Sequence, residues 1–135
     1  MPRLAVWYVR TSFLHLILGV TYGALILTAK AMPELGWAWS LFPSHIEHIA
    51  FGWMLQFAMG IAFWALPRYR VEPKRGNERP VWVAWGLLNF GVLLLALSPW
   101  LGLNMATRLL GGLAELLAVG LFAIHAWPRI KPLGA

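Results

Sequence analysis

Four long apolar stretches divide the chain, at about Trp7–Ala31, Ser44–Leu66, Val81–Leu101 and Asn104–Trp127. Each is near the roughly 20 residues that an α-helix needs to cross the hydrocarbon of a bilayer. Prolines mark their edges: Pro33, Pro43, Pro67, Pro80, Pro99 and Pro128. Proline is tolerated at helix starts and just past helix ends. The link between the third and fourth stretches is only a few residues, so those two pack as antiparallel neighbours. The pattern predicts an all-α, single-domain protein, an up-down bundle of four transmembrane helices. The stretch Met32–Pro43, with "GWAWSLF", is expected as a loop lying against the outer surface.

Charge then sets an orientation. Arg3 and Arg10 flank the first span. Arg68, Arg70, Lys74, Arg75 and Arg79 fill the loop after the second, and Arg129 and Lys131 follow the fourth. That leaves only Lys30 and Arg108 of the 11 basic residues for the opposite face. Under the positive-inside rule both termini are cytoplasmic, as in a prokaryotic inner or plasma membrane. Trp7, Trp37, Trp39, Trp82, Trp100 and Trp127 fall near span ends, where an aromatic belt belongs. The run Thr11–Thr28 is longer than a signal-peptide core, so the first span is read as a retained helix.

Composition agrees. Of the 135 residues 60% are hydrophobic and 12% charged, with a mean hydropathy of +0.67. The net charge of +6 flanks apolar runs, so it speaks for topology rather than nucleic-acid binding. The absence of cysteine excludes thiol catalysis, disulfides, iron–sulfur clusters and covalent haem attachment. No nucleophile–base–acid set, phosphate loop or HExxH motif is present, so enzyme activity is not expected of the chain alone.

Candidate chemistry lies in a few polar residues inside the spans. His45 and His48 open the second span and share a helical face with Gly52 and Gln56. Two ligands are too few for a closed metal site, so copper would need histidines from several chains. Glu115 stands mid-span in "GGLAELLAVG" and must face the bundle, a cavity or a partner, as a proton-active acid or a neutral hydrogen-bonded one. Arg108 lies two turns away on nearly the same face. His15 and His125, both toward the cytoplasmic side, are read as two unrelated interfacial residues, with a second histidine pair as the alternative. Gly19 and Gly23 make a GxxxG, a weak signal for close helix contact.

The stretch "HIEHIAFGWMLQFAMGIAFWALPR" (45–68) resembles the second helix of subunit I in the haem–copper oxidase and nitric oxide reductase superfamily. The likeness rests on the early histidine, Trp53, Gly60, Phe63-Trp64 and Leu66-Pro67. The fourth span resembles the glycine-rich companion helices. Family subunits have twelve helices in three four-helix arcs, and the copper-site histidines and tyrosine helix are missing here. The resemblance implies one arc, a homotrimer, and a b-type haem near the outer face with His45 and His48 as axial ligands. In that expectation Gly52 gives room to the macrocycle beside Gln56, Arg108 pairs with propionates, and Glu47 or Ser44 orients an imidazole. The implied role is electron transfer, haem handling or gas sensing. The rival reading is a cofactor-free structural or assembly subunit of a respiratory complex; a third is a copper protein.

Overall fold

The computed structural model describes residues 1–130; Lys131 of the basic C-terminal flank lies outside them. All regular structure among the described residues is helical. Four helical stretches are long and apolar enough to cross a membrane: Arg3–Ala29, Pro33–Ala65, Arg79–Leu101 and Met105–Arg129. This is the architecture that an integral membrane protein requires.

Helix α1 spans Arg3–Ala29. It starts four residues before the expected Trp7, because Pro2 is extended (φ −65°, ψ 150°) and hands directly to Arg3. The segment expected as a loop is a 3₁₀ helix, Pro33–Leu41. It folds back on α1, burying Ala38 and Leu41 against Ile26 and Ala29. The second span continues as α2 (Phe42–Ile46), a π-helical segment (Glu47–Leu55) and α3 (Gln56–Ala65). The i→i+5 bonds of a π-helix widen each turn, so positions four apart stack nearly above one another. In this segment those positions are His48, Gly52 and Gln56, all buried. The helix stops where Leu66 turns extended (ψ 145°) before Pro67, as the residue before a proline tends to do.

Helix α4 spans Arg79–Leu101 and ends at Gly102, whose φ of 57° is the left-handed closure that glycine accepts without strain. Helix α5 spans Met105–Ala126. Its start is capped by Asn104, whose Oδ1 accepts from the Thr107 amide at 2.9 Å. Helices α4 and α5 touch through backbone: a Cβ on Gly91 would stand 2.7 Å from the Gly111 carbonyl oxygen. Small residues at such a contact let transmembrane helices approach closely.

One end of the bundle holds the main core, with Leu4, Ala5 and Tyr8 against Met59, Phe63, Val81 and Ala84. There the Tyr8 hydroxyl donates to the Val81 carbonyl at 3.0 Å. Arg129, only 1% exposed, caps the end of α3, donating through Nη2 to the carbonyls of Phe63 (3.0 Å) and Leu66 (2.9 Å) and through Nε to Pro67 (3.1 Å). The outward faces stay apolar, with Leu14, Leu116 and Ile124 exposed, and the six belt tryptophans are exposed as well.

Candidate functional site

The polar side chains of α1, the second span and α4 meet in one buried chain of hydrogen bonds. It begins at Asn89, whose Nδ2 donates to the Trp85 carbonyl at 2.8 Å. That leaves Asn89 Oδ1 as acceptor, and His15 Nε2–H donates to it at 3.0 Å. A neutral His15 carrying its proton on Nε2 has a lone pair on Nδ1. His48 Nδ1 lies 2.8 Å from that atom and donates to it. A neutral His48 protonated on Nδ1 then carries its lone pair on Nε2. The tautomers of both rings thus follow from the network that holds them. The imidazoles are 5.0 Å apart between centroids, and Tyr22 lies 5.6 Å from the His48 ring.

His45 is held in the same sense by backbone. Its Nδ1 donates to the Gly19 carbonyl at 2.7 Å, which places the lone pair on Nε2. Gly23 makes room for the ring, since a Cβ there would stand 2.8 Å from His45 Cε1. The Gly19-Gly23 pair is thus where α1 receives the second span. His45 lines a recess of about 300 Å³ with Gly23, Ile26, Leu27, Lys30, Trp39 and Phe42. The Lys30 ammonium lies 5.9 Å from the Trp39 ring centroid.

The space expected for a macrocycle beside Gly52 is already filled. A Cβ on Gly52 would stand 2.5 Å from His15 Cγ, so the missing side chain serves His15 and not a cofactor. Gln56 is likewise engaged within the protein. Its Nε2 donates to Thr11 Oγ1 and to the Tyr8 carbonyl (3.3 Å), and Trp85 Nε1 donates to the same threonine oxygen at 3.1 Å. Nor do Ser44 and Glu47 orient an imidazole. The Ser44 hydroxyl donates to the Ala96 carbonyl at 2.6 Å. Ser44 thus turns to α4, and Glu47 to Glu115 of α5, instead of to a histidine.

Glu115 faces the bundle and is 6% exposed. Its carboxyl lies near that of Glu47 from the second span. Glu115 Oε1 and Glu47 Oε2 are buried without a partner. Gly91 permits the approach, since a Cβ there would stand 2.6 Å from Glu115 Cγ. Arg108 is not part of this group. It is exposed and lines a separate groove of about 520 Å³ on the outer side of α5, with Leu95, Met105 and Gly112.

His15 and His125 do not meet as a pair. Because α1 begins at Arg3, His15 lies about 18 Å along the helix at 1.5 Å per residue, too deep to meet the span ends. It meets His48 instead, and His125 sits against Phe63, with ring centroids 5.7 Å apart. Asn89, Trp85 and Thr11 were not singled out from the sequence. The available signal was Asn89, a lone amide in the apolar run "WGLLNFGVLLLAL" with Trp85 one turn before it.

Among the described residues no three of His, Cys, Asp and Glu gather as a metal site. Compared with protein-family models, curated proteins and solved structures, the chain matches none.

Proposed function

We propose that this is a small integral membrane protein that binds b-type haem through the histidines of its second span. The supporting observation is that His45 and His48 both engage Nδ1 within the protein and keep the lone pair on Nε2. That is how ligating histidines are oriented, through a hydrogen bond at the other ring nitrogen. Haem also suits the donor count. A porphyrin fills four positions on iron, so one or two imidazoles complete it, whereas bare copper or zinc would need ligands from other chains.

The fit is partial and narrows the site. Gly52 is closed by His15, so the haem face would be the Nε2 side of the histidines, with His45 on the recess it shares with Lys30. The Lys30 ammonium would offer a counter-charge to a propionate, the role expected of Arg108. When bound, the haem would supply one-electron or gas-binding chemistry. The chain's own part is to hold the imidazole tautomers and exclude water. By the resemblance above we further propose an up-down bundle with both termini in the cytoplasm, assembled as a homotrimer.

The second reading is a cofactor-free structural or assembly subunit. It is favoured by one observation: the relay from His48 through His15 and Asn89 to Trp85 closes within the chain. Absorption spectra of protein purified from haem-sufficient cells separate the two. A Soret band with sharp reduced b-type bands, lost in His45→Ala or His48→Ala, supports haem binding. A colourless wild-type protein supports the structural role, and a wild-type spectrum retained in both variants refutes the ligand assignment.

A further inference from the structure

We propose that the end of the bundle near Pro67 and Arg129 binds a phosphate-bearing anion through Arg75, His125 and Arg129. These residues take no part in the histidine relay or in the haem reading. They come from the loop after the second span and from the end of the fourth.

The observation is a group of buried nitrogens left unpaired. Arg75 Nε, His125 Nε2 and Arg129 Nη1 are all buried and have no hydrogen-bond partner among the described residues. Arg129 carries the most weight, because it is 1% exposed and held rigidly. Three carbonyls fix its Nε and Nη2, leaving both Nη1 hydrogens unused. Buried guanidinium donors are expensive to leave unpaired, so an absent acceptor is implied. Arg75 and Arg129 are close enough for their charges to act on each other. An anion bound near both would relieve that repulsion.

No acid among the described residues fills that role. Glu78 acts on the charges of both His125 and Arg129, yet makes no ion pair with either. The ion pair among the described residues is Lys74–Glu72, at 3.5 Å on the exposed side of the loop. Beside His125 lies a recess of about 310 Å³, with Tyr69, Gly76 and Asn77 in its wall. Gly76 sits at a φ of 71°, where a side chain would be strained, and a Cβ there would press on the Tyr69 ring at 3.2 Å. Arg68, Arg70 and Arg79 in the same loop add a positive field. Guanidinium groups match tetrahedral oxyanions through charge-assisted bonds, so a phosphoryl group fits this donor set. Its source is either free phosphate or the headgroup of an anionic lipid, which basic pockets at span ends receive.

The test follows thermal unfolding of the full chain in neutral detergent by tryptophan fluorescence. Inorganic phosphate is titrated against chloride at equal ionic strength, and in a second arm phosphatidylglycerol is titrated against phosphatidylcholine. Saturable stabilisation by phosphate, weakened about tenfold in Arg75→Ala and in His125→Ala, supports the site with a soluble ligand. The same result with phosphatidylglycerol alone supports it with a lipid ligand. Arg129 is left intact, because its loss would also uncap α3. Stabilisation by chloride equal to that by phosphate, no saturable effect in either arm, or unchanged affinity in both variants would overturn the proposal.

Discussion

The ring of His15 occupies the place of a side chain on Gly52: a Cβ there would lie 2.5 Å from His15 Cγ and 2.8 Å from Nδ1. Gly52→Ala must therefore push the ring off its hydrogen bonds to His48 and Asn89. Overpacking of this kind costs about 1–3 kcal/mol. Reversible unfolding in mixed micelles checks it. In a His15→Ala background the same substitution should cost far less, because contacting residues couple. Equal costs in the two backgrounds would refute the contact.

Asn89 is the hinge of the relay, since its amide both donates to Trp85 and accepts from His15. Asn89→Leu keeps the branched shape but leaves His15 Nε2–H without an acceptor. The expected loss is about 1–3 kcal/mol. If haem is bound through His48, the variant should also shift its absorption bands, since the outer partner sets the basicity of the ligand. Unchanged stability would show that His15 has another acceptor.

Glu47 and Glu115 meet across two spans, which is stable when one carboxyl donates its proton to the other. Glu115→Gln preserves a donor for Glu47 and should change stability by less than about 1 kcal/mol. Glu115→Ala removes the partner and should cost about 1–3 kcal/mol, the range for a buried polar group left unpaired. Unfolding of the two variants side by side decides this. A glutamine variant as damaged as the alanine variant would mean that the carboxylate charge itself is needed.

The glycines of α4 and α5 divide into two classes. Gly91→Ala drives a methyl group against the Gly111 carbonyl at 2.7 Å and should separate the helices, at about 1–3 kcal/mol. Gly112→Ala and Gly120→Ala meet open space and should be neutral, or stabilising by up to about 1 kcal/mol through helix propensity. The order of the three midpoints is the measurement.

The number of spans could be read from the sequence because hydrocarbon thickness fixes the length of an apolar run, and proline punctuates the ends. The inward placing of Glu115 followed from its cost in lipid. What could not be read was which residues meet. A four-residue shift in the start of α1 moved His15 from about two turns inside the span to more than three. The small residue at Gly52 looked like space for a flat ligand, but a glycine opposite an imidazole has the same appearance in sequence. Asn89 escaped notice because a single amide gives no periodic pattern; its role depends on a partner 74 residues away.

The winding of Glu47–Leu55 has a consequence for the tolerance of this chain to length changes. A π-helical stretch is a regular helix that has absorbed surplus backbone. Removing one residue between Phe51 and Leu55 would let the helix rewind with its usual pitch. Because the wider turns had taken up that residue, both flanks would keep nearly their present facing. His45 and His48 would stay toward α1 while Met59 and Phe63 kept their seats, so a single-codon deletion here should be tolerated better than one in the α-helical flanks, where each lost residue turns the chain by about 100°.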